Sequence, residues 1–163
     1  MGKSMAIQTI DAILSQSYDC LLLVHPHIHV LERISKEIEG SGMAHLNISK
    51  ELSAALMAVS ASERSRFSQK WMIDSFSSFP SGPILCTCPD LLFDPSLEID
   101  ALALFRQAAR MMQLIVMWPG EYSANILSYA VPEHHHFRTW KISDALLRQP
   151  VVIIQQLTSS LGA

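Results

Sequence analysis

The sequence predicts a single α/β domain over residues 1–163, three layers deep, with helices on both faces of a mainly parallel sheet. Three observations carry that prediction. Continuous apolar runs at 20–24, 84–88 and 114–118 are short and bounded by turn residues, as strands buried on both faces are. Between them lie segments with apolar residues at helical spacing, so strands and helices alternate as in βαβ units. The 163 residues are 49% apolar and 17% charged, a balance that supports a sizeable core and argues against disorder.

Taken in order, Ile7, Ile10, Ile13 and Leu14 predict an amphipathic helix over residues 4–16. The run 20–24 is the first strand. Val30, Leu31, Ile34 and Ile38 predict the next helix, ended by Gly40-Ser41-Gly42. Residues 43–48 supply a strand. A helix capped by Ser49 runs to about Val59, and another opens on Ser60-Ala61-Ser62-Glu63, at capping-box spacing, and runs to about Phe79. Pro80-Ser81-Gly82-Pro83 is the firmest break. After the strand at 84–88, Asp94-Pro95 predicts a helix start. Leu97, Ala101, Leu104, Phe105, Ala108 and Met112 form that helix's apolar stripe. The strand at 114–118 is expected to stop at Pro119-Gly120. Residues 126–130 and 137–142 predict a hairpin, Ser143 caps a short helix, and 151–157 is a last apolar segment, strand or helix.

Charge excludes some functions. The net charge is −3 and Lys and Arg are scattered, so no basic face is available to replace counterions on nucleic acid. Direct nucleic-acid binding, sequence-specific or otherwise, is not expected. The three cysteines, Cys20, Cys86 and Cys88, lie in apolar runs, which predicts free buried thiols and a reducing, cytoplasmic setting. Gln8 and Asp11 interrupt any leader-like apolar core. The apolar runs are too short to span a membrane.

The stretch at 19–35 reads as strand, loop and helix, the place where a P-loop protein carries its phosphate cradle. Its loop is His25, Pro26, His27, Ile28, His29 and Val30, without glycine or lysine. Pro26 removes a backbone donor, and the β-carbons of its neighbours disfavour the positive φ angles a cradle uses. Gly2-Lys3-Ser4 follows no strand and is not that motif. The third strand ends on Thr87 where a metal-positioning carboxylate belongs, with Asp90 beyond Pro89. Both halves of a phosphate–magnesium site are therefore degenerate. His25, His27 and His29, with His134, His135 and His136, are the candidates for a metal, but polar loop positions explain them more simply. Arg106 and Arg110 read as a solvated helix face, with Arg110 the candidate for reaching a neighbouring subunit.

Several pieces, in order, resemble the BrxF family of type 3 BREX phage-defence systems. They are LLLVHP (21–26), HLNISKELSAALMAVSASERSRF (45–67), PILCTCPDLLFDPSLEIDALALFRQAAR (83–110), LIVMWPGE (114–121) and LSYAVPEHHHFRTW (127–140). The resemblance covers roughly residues 19–141. It implies a P-loop NTPase-like fold and work beside larger BREX components: an ATPase, a methyltransferase and an alkaline-phosphatase-like protein. With its motifs degenerate, the chain is expected to be a non-catalytic pseudo-NTPase without a cofactor. It would scaffold or regulate those partners by protein contact, as a homo-oligomer in one arrangement. The alternatives are an ATP–magnesium hydrolase with an atypical loop and a histidine-dependent metal protein.

Overall fold

In a computed structural model, residues 20–80, 82–142 and 151–153 are described, together with 8, 10 and 12. The apolar run after Asp19 forms β1 (Cys20–His25), buried along its whole length. Helix α1 (Ile28–Glu39) follows and turns Leu31, Ile34 and Ile38 inward. Next come β2 (Ala44–Asn47), α2 (Ile48–Leu56) and α3 (Arg64–Ser77). Then follow β3 (Ile84–Thr87), α4 (Ala101–Ala108), β4 (Leu114–Ser123), β5 (Ile126–Tyr129), β6 (Arg138–Lys141) and β7 (Val151–Ile153).

Five strands pair in the order β2-β3-β4-β1-β7, all in parallel. Successive residues of β1 point to opposite faces, as the strand's period of two requires. Cys20, Leu22 and Val24 join a cluster with Leu52, Phe76 and Phe105 from α2, α3 and α4. Leu21 and Leu23 join a second cluster with Ile10 and with Leu31, Ile34 and Ile38 of α1. The central strands are therefore buried on both sides, which is why they read as unbroken apolar runs.

The expectation of a mainly parallel sheet needs correction, because the sheet is mixed. Strand β4 does not stop at Pro119-Gly120. It continues to Ser123, turns through Ala124 and Asn125, and pairs antiparallel with β5, which pairs antiparallel with β6. Both turn residues have positive φ (49° and 62°), as a tight two-residue hairpin demands. So short a connection permits only antiparallel pairing. Gly120 lets β5 approach: a β-carbon there would lie 1.9 Å from the Ser128 carbonyl oxygen. Pro119, which has no N–H to leave unpaired, marks the handover, since β3 pairs with β4 only as far as Val116 and β5 takes over from Gly120.

Local capping differs from expectation in three places. Asn47, not Ser49, caps α2, accepting from the Lys50 N–H at 3.1 Å. Ser60 makes no side-chain cap, and a 3₁₀ turn over Ala61–Glu63 precedes α3. Asp94-Pro95 opens only a 3₁₀ turn, Pro95–Leu97, which ends where Glu98 takes positive φ; α4 starts afresh with Asp100 as its cap. The predicted 126–142 hairpin is present as β5 and β6. Of the helix predicted at 4–16, Gln8, Ile10 and Ala12 are helical. The Ser143 helix, and the last segment beyond β7, lie outside the described residues. No helix among the described residues is long and apolar enough to cross a membrane.

Candidate functional site

The end of β1 is closed. Only Pro26 and His27 separate β1 from α1, whereas the phosphate-cradling signature spans about eight positions. The His27 N–H donates to Nδ1 of buried His25 at 3.0 Å. The N–H groups of Val30 and Leu31 both donate to the His27 carbonyl. Of the amides at this turn, Pro26 has none to offer, and those of His27, Val30 and Leu31 are already bonded. Burial, and next the proximity of His27, hold the His25 imidazole below its usual pKa of 6.5, so the neutral ring that accepts from His27 is the favoured form. His29 is exposed, and its Nδ1 lies 3.6 Å from a Glu32 oxygen.

The end of β3 is open and tied at long range. A cleft of about 210 Å³ runs between α1, the ends of β2 and β3, and the middle of β4, lined among others by Ile28, Leu31, Glu39, His45, Thr87, Asp90 and Pro119. Alternation along β2 and β3 puts His45 and Thr87 on the α1 side of the sheet. There Nε2 of His45 lies 2.7 Å from the Thr87 hydroxyl, and Nδ1 lies 3.2 Å from a Glu39 oxygen. Thr87 is itself buried. After it the backbone turns through Cys88, a non-glycine residue with φ 50°, a conformation that persists only where its surroundings hold it. Ser49 does that holding. Its N–H and hydroxyl both donate to the Cys88 carbonyl, and its oxygen accepts from the Leu91 N–H at 3.1 Å. Asp90 accepts from the Tyr129 hydroxyl at 2.7 Å, and burial with that bond pushes the Tyr129 pKa far up. Phe93 stacks on Tyr129 with ring centroids 3.7 Å apart and meets Trp118 edge-on.

No protein-family model, curated protein or solved structure matches this chain.

Among the residues singled out from sequence, Thr87 and Asp90 both line the cleft, as does Ile28, while His25 and His27 are engaged with each other. Val30 lies in the first turn of α1. Among the described residues no group of three or more histidine, cysteine, aspartate or glutamate side chains is placed to hold a metal. His134 and His136 contact one another, with the His136 N–H donating to Nδ1 of His134 at 3.0 Å, and His135 is exposed. Arg110 is exposed beyond the end of α4, shortly before β4 begins. In a parallel sheet that is the end opposite the cleft. Cys20 and Cys86 are buried and form no disulfide, but Cys88 is exposed. Sequence reasoning missed Glu39, His45, Asn47, Ser49 and Tyr129. The His45 signal was a polar side chain between Ala44 and Leu46 in a short strand, and its meaning depends on which strand lies alongside.

Proposed function

We propose that this chain is a pseudo-NTPase: a three-layer, P-loop NTPase-like domain that scaffolds or regulates partner proteins of a BREX-type anti-phage defence complex in the cytoplasm. The carrying observation is the two-residue connection from β1 to α1, whose one remaining amide donates to His25. The fold assignment is supported by the two core clusters on opposite sheet faces. It is supported also by β4 lying between β1 and β3, so that the strand leading to the phosphate loop and the strand bearing the metal-side residue are separated by one other. Thr87 in place of a carboxylate leaves magnesium without its usual anchor. The defence setting rests on the resemblance of residues 19–141 to BrxF proteins, and the other BREX proteins are the partners it names.

The test is a thermal melt with millimolar Mg-ATP. A ligand present at a hundred times its Kd stabilises a fold by about 2.7 kcal/mol, which is roughly 5–10 °C for a domain of this size. No shift is expected. A shift of that order, with phosphate release, would restore the active-hydrolase reading. Co-expression with the BREX ATPase, methyltransferase and phosphatase-like proteins, followed by purification through an affinity tag on this chain, tests the second half of the proposal. A stable complex supports it, and recovery of this chain alone overturns it.

A further inference from the structure

The row Glu39–His45–Thr87, an imidazole–carboxylate contact followed by a hydrogen bond, is not needed to join β2 to β3, which a parallel ladder from Ala44↔Ile84 to Asn47↔Thr87 already does. It lies along the wall of the cleft beside α1. We propose that this cleft is a hydrolase site for small acyl esters, with Thr87 as nucleophile, His45 as general base and Glu39 as the residue that positions His45.

The bond directions follow from chemistry. A carboxylate only accepts, so the Glu39 oxygen 3.2 Å away favours the tautomer with its proton on Nδ1 of His45. The neutral ring then offers a lone pair at Nε2, 2.7 Å from the Thr87 hydroxyl, whose one proton can go to it or to the neighbouring Cys88 sulfur. The first is the polarity in which an attacking oxygen loses its proton to a base oriented by a third group. Asn47 stands opposite Thr87 in the ladder. Its oxygen is committed to capping α2, which turns its amide NH2 toward the Cys88 sulfur and the cleft, where it can donate to a developing oxyanion. Ile28, Leu31, Met117 and Pro119 give the cleft an apolar side suited to a short acyl chain. The neighbouring Cys88 is the rival nucleophile. Partial desolvation of its sulfur first, and Asp90 second, raise its pKa, which favours the less reactive thiol form.

The steps balance with water alone. Thr87 Oγ1 bonds to the ester carbonyl carbon as its proton passes to Nε2 of His45. The carbon–oxygen bond to the alcohol breaks, and the alcohol leaves with that proton. Water then attacks the acyl-Thr87 ester, gives a proton to His45, and releases the carboxylic acid as the proton returns to Thr87.

The experiment uses the full chain with p-nitrophenyl butyrate for turnover and a fluorophosphonate probe for covalent capture, located by peptide mass. Wild type is expected to turn over the ester and carry the probe on Thr87. Thr87→Val should lose the label and roughly a hundred- to ten-thousand-fold in kcat, with an unchanged thermal melt. Thr87→Ser should keep both, which separates lost chemistry from lost folding. Glu39→Gln should lower kcat while leaving KM unchanged, which a merely structural role would not do. Absence of turnover and label in wild type overturns the proposal. So does a label on Cys88, or full activity in Thr87→Val. None of these outcomes depends on whether Mg-ATP binds.

Discussion

The ends of β1 and β3 lie two strands apart in one sheet and are finished in opposite ways. Strand β1 ends in a closure made by its own neighbours, His25 bonding His27 two residues on. Strand β3 ends in a turn held by partners about forty positions away: Ser49 on Cys88, His45 on Thr87, Tyr129 on Asp90. The first arrangement commits the His27, Val30 and Leu31 donors to its own turn. The second leaves polar side chains at a cleft wall, fixed by contacts that a ligand need not displace. The lesson is that a site in this fold is built where the turn is supported from outside.

The largest effect that would break this contrast is at Phe93, which carries the β3 turn into the aromatic cluster of Trp118, Tyr129 and Trp140. Phe93→Ala should cost about 3–5 kcal/mol, read from the urea midpoint at constant m. Tyr129→Phe removes only the bond to Asp90 and should cost about 1.5–3 kcal/mol. It should also raise hydrogen exchange at the Leu91 amide, while the β1 turn stays protected.

The smallest expected effect is at β1. His25→Leu orphans the His27 N–H and should cost about 1 kcal/mol. It should also remove a pH dependence. The folded pKa of His25 lies below 6.5, so the unfolded chain binds the proton first as pH falls. Stability from this group is complete above about pH 6.5 and declines below it, levelling off once the folded pKa is passed. Comparing urea midpoints at about pH 7.5 and about pH 5.5 should show a steeper loss in wild type than in His25→Leu. Equal losses would mean that His25 does not sense burial as described.

Legibility divides along the same line. The β1 end was readable because its chemistry is sequential: the missing glycine and lysine, and Pro26, stand side by side in the sequence. The strands at 20–25, 84–87 and 114–118 were readable because burial on both faces leaves continuous apolar runs. Thr87 and Asp90 were noticed, but only as absences from a nucleotide motif. Their partners Glu39, His45 and Tyr129 belong to other elements, and only the strand order brings them together. Pro119-Gly120 misled because proline and glycine end most strands. Here one tolerates the handover and the other makes room for β5. Ser49 misled because a serine before a helical pattern reads as a cap. It serves the neighbouring turn instead.

The continuation of β4 through Pro119 and Gly120 has a kinetic side. Its antiparallel half closes between near neighbours, Ser123 with Ile126. Its parallel half pairs with β3 across thirty positions (114 − 84) and with β1 across ninety-four (114 − 20). Hairpins close in about 1–10 μs, whereas pairings across long separations slow folding by orders of magnitude. One strand therefore takes part in both a near-neighbour pairing and a pairing across ninety-four positions. The hairpin, pinned where the Trp118 indole N–H donates to the Ser128 carbonyl at 2.9 Å, can form early and hold β4 extended.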